Sequence, residues 1–112
     1  MNGAQAENWA ENYLLRHGLR LLARNYRCRW GEIDLIMQDG VVLVFVEVRQ
    51  RQHADFGGAL ASIDSRKQQR LLLTAQHYLA GRTYPPPCRF DVVVMEDATG
   101  RNAQWLKDAF QA

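Results

Sequence analysis

Three carboxylates, Glu32, Asp34 and Glu47, lie inside segments that otherwise read as buried strand: Gly31-Glu32-Ile33-Asp34-Leu35-Ile36 and Phe45-Val46-Glu47-Val48-Arg49. An ionised carboxylate in a buried strand is costly unless a cation or a hydrogen-bond donor compensates it. The chemistry these residues offer is coordination of a hard divalent cation. An oxygen-only ligand set suits magnesium, manganese or calcium better than zinc. Arg49, two positions after Glu47, projects to the same face and can hold a phosphate or the attacking water. An acid followed on the next strand by Glu-x-basic is a device for metal-assisted attack on phosphodiesters. The plainer alternative is a solvated strand end in which Glu32 and Asp34 pair with Arg49 or Arg29.

The elements that would position these groups follow from the turn between them. Asp39-Gly40 predicts a two-residue type I′ hairpin turn, which needs positive φ at both central positions. That turn pairs Gln38 with Val41, Ile36 with Leu43, Asp34 with Phe45 and Glu32 with Glu47. Side-chain alternation then puts Glu32, Asp34, Glu47 and Arg49 on one face. Ile33, Leu35, Met37, Val42, Val44, Val46 and Val48 fall on the other. Asp34 and Glu47 become diagonal neighbours about 7–8 Å apart, able to lean inward and share one ion at metal–oxygen distances of about 2.0–2.1 Å for magnesium. Glu32 facing Glu47 is a like-charge opposition that a metal, an arginine or a shared proton would relieve.

Helical spacing of Ala6, Ala10, Tyr13, Leu14 and His17 predicts a helix over 3–17, stopped by Gly18. Leu21–Arg27 reads as a first strand, with further strands at about 31–38 and 41–48. A polar loop at 50–58, containing His53, follows. Asp64 or Ser65 caps a second helix running to about Ala80, with Leu72, Ala75, Tyr78 and Leu79 inward. Arg66, Lys67 and Arg70 at its start oppose the helix dipole, and an anion bound there would relieve them. Tyr84-Pro85-Pro86-Pro87 is a stiff connector. Arg89–Met95 reads as a fourth strand, and 103–106 as a short edge strand before a packed tail. The expectation is one α/β domain over 1–112, a mixed central sheet flanked by helices in the order α-β-β-β-α-β-β.

Composition narrows the partners. The 112 residues are 47% hydrophobic and 23% charged, as in an ordinary globular domain. No run approaches a membrane span and the N-terminus lacks signal-peptide features, so a cytoplasmic protein with reduced Cys28 and Cys88 is expected, without a membrane partner. Net charge is only +2, but twelve of the fourteen basic residues are arginines. They cluster at Arg16–Arg29 and around Arg49, Arg51, Arg66, Lys67 and Arg70, where guanidinium forks can grip phosphates. Arg27, Arg29, Arg51, Arg66 and Arg70 are the candidate nucleic-acid contacts; a merely solvated basic face is the alternative.

The blocks Gly31–Ile36, Val44–Arg51, Phe56-Gly57, Arg66-Lys67-Gln68 and Arg89–Val93, with Ala6-Glu7-x-x-Ala10 and Asn25–Cys28, resemble those of the bacterial YraN-like family. That family is similar to archaeal Holliday-junction resolvases, in the restriction-endonuclease-like PD-(D/E)xK group. The resemblance implies that fold and Mg2+- or Mn2+-dependent phosphodiester cleavage. It assigns Glu7 as the N-terminal helix acid, Asp34 and Glu47 as metal ligands, and Arg49 to the place of the catalytic lysine. Arginine donates to phosphate but does not act as a general base; Lys67 is the candidate substitute.

Two functions follow. One is a metal-dependent endonuclease for branched or structured DNA, homodimeric as an option. Asp34, Glu47 and Glu7 or Glu32 would hold the ion, and Arg49 and Lys67 would clamp the phosphate. The other is a non-catalytic nucleic-acid-binding module on the same fold. A weaker third option is an interaction protein with Trp105 and Phe110 at a partner surface, against which core or edge packing of those rings is the simpler expectation.

Overall fold

The computed structural model describes residues 2–50, 63–95 and 103–110. Helix α1 (Gly3–Arg16) starts at a capping box: the Asn2 side chain accepts from Gln5 N, and the Gln5 side chain accepts from Asn2 N, both at 2.8 Å. Gly18, at φ +91°, turns the chain into β1 (Arg20–Cys28). Then follow β2 (Gly31–Asp39), β3 (Val42–Gln50), α2 (Ser65–Leu79), β4 (Cys88–Met95) and β5 (Ala103–Phe110). The strands form one five-stranded mixed sheet in the order β1-β2-β3-β4-β5. Among the described strands only β3 and β4 pair in parallel, and α2 lies between them in the chain. This is the expected α/β architecture.

The helices cover opposite faces. Ala6, Ala10 and Leu14 of α1 pack on Leu35, Met37, Val44, Val46, Val93 and Met95. Leu71 and Ala75 of α2 pack on Ile36, Phe45, Phe90, Val92 and Val94. Burial on both faces explains why β3 and β4 read as nearly continuous apolar runs rather than alternating ones. Leu71 and Thr74, both buried, belong to the inner face of α2 alongside the expected Ala75. The tail expected after 106 is part of β5: Phe110 stacks on Phe90 at a 4.9 Å centroid distance. Trp105 is half-buried against Tyr13 and His17, so both rings are packing residues.

The hairpin register differs from the expected one by two residues. Asp39 pairs with Val42, Gln38 with Leu43 and Ile36 with Phe45, so the loop is Gly40-Val41. Positive φ is confined to Gly40 (+61°), the type II′ pattern rather than I′. The cause is tertiary. Asp39 is held in the strand by a 2.9 Å ion pair with Arg89 of β4, which removes it from the turn.

A second difference lies at Asp34. Ile33 packs on the α2 side while Leu35 and Met37 pack on the α1 side, so the three do not share the single face that strict alternation predicts. The β1–β2 pairing runs Arg24–Leu35 and then Tyr26–Ile33, passing over Asn25 and Asp34. Asn25 has φ +52°, a left-handed conformation that asparagine tolerates better than most residues. The sheet is therefore broken at one opposed pair, and its acidic member is the residue of greatest chemical interest.

Candidate metal and phosphate site

The break turns Asp34 toward β3. Its Oδ2 accepts the Val48 backbone N–H at 2.8 Å, and the Glu47 carboxyl lies close enough to disfavour its ionisation. The observed register ends at Leu35–Val46; one further step brings Asp34, not Glu32, level with Glu47. The expected opposition of Glu32 and Glu47 does not form. Glu32 pairs with Arg27 of β1 at 2.9 Å.

Glu47 is only 6% exposed, and among the described residues its Oε2 accepts no hydrogen bond. Two cations approach that oxygen: Lys67 Nζ of α2 at 3.4 Å and Arg49 at 3.8 Å. Burial raises the Asp34 carboxyl from 3.8 to about 8, helped by the neighbouring carboxyl and charge of Glu47; the Val48 N–H and Lys67 act in the opposite sense. Two carboxyls in contact away from water keep a proton between them when no cation replaces it.

Glu7 and Glu32 complete the acidic wall. One carboxylate oxygen from each of Glu7, Glu32 and Asp34 lies within 4.8 Å of the others. Glu47 stands outside that set and joins it through Asp34. The Asn25 amide, oriented with its nitrogen toward the acids, donates to Glu7 Oε1 at 3.1 Å and Glu32 Oε1 at 2.7 Å. Arg24 reaches Glu7 and Glu11, each at 3.4 Å, and also Asn8. It thus neutralises α1 and is not available to a polymer.

A comparison within the sheet shows what is unusual about Asp34. Asp91 also sits at a strand irregularity and is fully buried. Its carboxylate is saturated by three donors: Arg89 Nε (3.0 and 3.2 Å), Trp105 Nε1 (2.9 Å) and Asp108 N (2.9 Å). Asp91 is a structural charge, compensated as buried charges ordinarily are. Asp34 has one backbone donor and a second carboxylate for a neighbour. The plainer expectation, pairing of Asp34 and Glu32 with Arg49 or Arg29, is not what forms: Arg49 approaches Glu47, and Arg29 lies over the Trp30 ring at 4.5 Å.

The donor set fits a hard divalent ion. Glu7, Glu32 and Asp34 offer carboxylate oxygen alone, and Glu47, outside that set but beside Asp34, adds a buried oxygen that accepts no hydrogen bond among the described residues. The expected anion at the start of α2 is partly supplied by the chain: the Asp64 carboxylate accepts from Lys67 N at 2.9 Å. Arg66 and Arg70 are exposed on the first turns of α2, and Arg27 and Arg29 are exposed beside the β1–β2 turn. Arg51 and His53 lie outside the described residues.

Comparison with known proteins gives the family. The model of the uncharacterised protein family UPF0102 matches residues 6–95, a span holding every acid of the site. The chain belongs to UPF0102, the YraN-like family. It is 53% identical over 110 residues to a UPF0102 protein of Methylobacillus flagellatus, covering 98% of this chain and 96% of that one. It is 52% identical over 113 residues to one of Methylococcus capsulatus, covering 100% and 92%, and 51% identical over 115 residues to one of Pseudomonas fluorescens, covering 99% and 94%. Among the described residues of this UPF0102 chain, no helix is long and apolar enough to cross a membrane.

Sequence reasoning left Asn25 without a role, yet it joins Glu7 to Glu32. The available signal was an asparagine inside a strand, where that residue is disfavoured unless the backbone turns left-handed.

Proposed function

We infer that this protein is a metal-dependent endonuclease acting on phosphodiesters of branched or structured DNA. The observation that carries the reading is the pairing of half-buried Asp34 with buried Glu47, with Lys67 and Arg49 beside them and no saturating donors among the described residues. Asp34 and Glu47, with Glu7 or Glu32, would hold Mg2+ or Mn2+. Such an ion, when bound, lowers the pKa of a water and offsets charge on the phosphoryl oxygens. The chain's own groups do the rest. Val48 N–H fixes the Asp34 carboxylate. Asn25 holds Glu7 and Glu32 together. Lys67, 3.4 Å from Glu47, is released toward a phosphate once the acid's charge is satisfied elsewhere. Arg49 binds phosphate as a fork and does not act as a general base, and with Lys67 engaged as a cation, proton removal from the attacking water falls to a carboxylate. DNA of branched form rests on the family resemblance; the acidic site requires only a phosphodiester.

Two measurements test this. Calorimetry with Mn2+ should show binding to the wild type and none to Asp34→Asn. Labelled four-way junctions, flaps and single strands with Mg2+ or Mn2+ should be nicked by the wild type and spared by Asp34→Ala. Equal nicking by both proteins would refute the assignment. Metal binding without cleavage of any substrate would favour the non-catalytic nucleic-acid-binding module, the reading that Arg49 in the usual lysine position supports.

A further inference from the structure

We propose that Trp30, at the tip of the β1–β2 hairpin, is a stacking platform for an unpaired base of the nucleic acid held at the acidic site. Residues Arg29 and Trp30 form the whole loop, since Cys28 and Gly31 are the last pair of the ladder. Two-residue hairpin loops favour small residues that accept positive φ. Here the loop holds a tryptophan and an arginine, neither with positive φ, and Gly31 takes the unusual backbone at φ +147°. A side chain at Gly31 would meet Thr74 Oγ1 at 3.5 Å and Arg70 Cβ at 3.9 Å. The tip therefore rests against α2, and the Trp30 backbone N–H is held by Cys28 Sγ at 3.4 Å. A large aromatic is thus carried on a short loop with a braced backbone, and the residue remains 39% exposed.

Its surroundings are cationic. Arg29 lies over the ring at 4.5 Å, Arg70 flanks Gly31 across the hairpin, and Arg66 stands one helical turn before Arg70 on α2. An exposed aromatic among arginines suits a base and its adjoining phosphates, and stacking tolerates any base because every base has a π-face. Trp30 precedes Asp34 by four residues of strand, about 13 Å at 3.3 Å per residue. That is the span of a few nucleotides. The platform would engage the strand near, but not at, the bond under attack, and would favour nucleic acid that offers an unstacked base over continuous duplex. This selectivity rests on the phosphodiester reading of the acidic site.

The test is anisotropy of a fluorescein-labelled single-stranded oligothymidylate and of a duplex of equal length, in EDTA, with the full chain. Trp30→Ala should weaken single-strand binding about tenfold, Trp30→Phe should retain most of it, and duplex binding should change less than about twofold. The salt slope should be unaltered in both variants, whereas Arg70→Ala should reduce it by about one. Binding of oligothymidylate should also quench tryptophan emission in the wild type and not in Trp30→Phe, a readout that holds even if the alanine variant fails to fold. The proposal is overturned by equal losses on both nucleic acids, by quenching that persists in Trp30→Phe, or by failure of the wild type to bind single strands. None of these outcomes alters the Mn2+ calorimetry, so the stacking proposal and the metal-site reading fail separately.

Discussion

Asp34→Asn should make the metal-free protein more stable while abolishing metal binding. The Asp34 carboxyl is moved from 3.8 to about 8 by burial and by Glu47. The folded state therefore binds this proton more tightly than the unfolded chain does. That contribution is fully present below about pH 4 and is lost as pH rises through about 8. Between pH 5 and pH 8 the unfolded carboxyl is ionised and the folded one still resists ionisation. Three pH units at 1.36 kcal/mol each set a loss on the order of 4 kcal/mol. An asparagine at this site reproduces the protonated acid, with its oxygen accepting Val48 N–H and its nitrogen donating to Glu47. It does not titrate. Urea unfolding of wild type and variant in EDTA at pH 5, 6.5 and 8 should show the variant's advantage growing by a few kcal/mol across the range. Mn2+ should then stabilise the wild type at pH 8 and leave the variant unmoved. An advantage that does not change with pH, or a variant less stable than wild type at pH 8, would refute the reasoning, because the pair would not be a carboxyl contact held together by a proton.

Other outcomes follow from the same geometry. Mn2+ affinity of the wild type should rise about tenfold per pH unit below pH 8 and level off above it, because one proton must leave for the ion to bind; calorimetry in buffers of different ionisation enthalpy counts that proton. Asp91→Ala should cost about 2–4 kcal/mol by urea unfolding, since it removes the buried acceptor of Arg89 Nε, Trp105 Nε1 and Asp108 N and leaves Arg89 only its Asp39 partner among the described residues, while leaving the stoichiometry of Mn2+ bound to the folded fraction unchanged. Asn25→Gly should keep the left-handed backbone and shift stability by less than about 1 kcal/mol, yet lower Mn2+ affinity by freeing Glu7 and Glu32, as calorimetry would show. Lys67→Met should weaken phosphate-dependent binding of single strands in an anisotropy titration and leave metal affinity no weaker, because it removes a cation from beside Glu47.

Much of this molecule was legible in linear order. Short apolar runs bounded by turn residues marked the strands, the 3.6 spacing of Ala6, Ala10 and Leu14 marked α1, and Asp64 marked the start of α2. Glu47 and Arg49 were placed together because residues two apart on one strand share a face, whatever that strand pairs with. Lys67 was expected near the site from its position at the head of α2, and it approaches Glu47. These are local facts, set by backbone geometry over a few residues.

The partner of each acid was not local. Asp39-Gly40 signals a turn, but the choice between two loops one residue apart was made by Arg89, fifty residues further on. Strict alternation puts Ile33 and Leu35 on one face; the left-handed Asn25 on the neighbouring strand parts them and swings Asp34 toward β3. Glu32 met Arg27 rather than Glu47 as a result. Composition and pattern could announce that buried carboxylates would gather, since their desolvation demands a counter-group. Which carboxylate faces which is a contest between contacts far apart along the chain, and it is resolved only when the strands and helices close on one another.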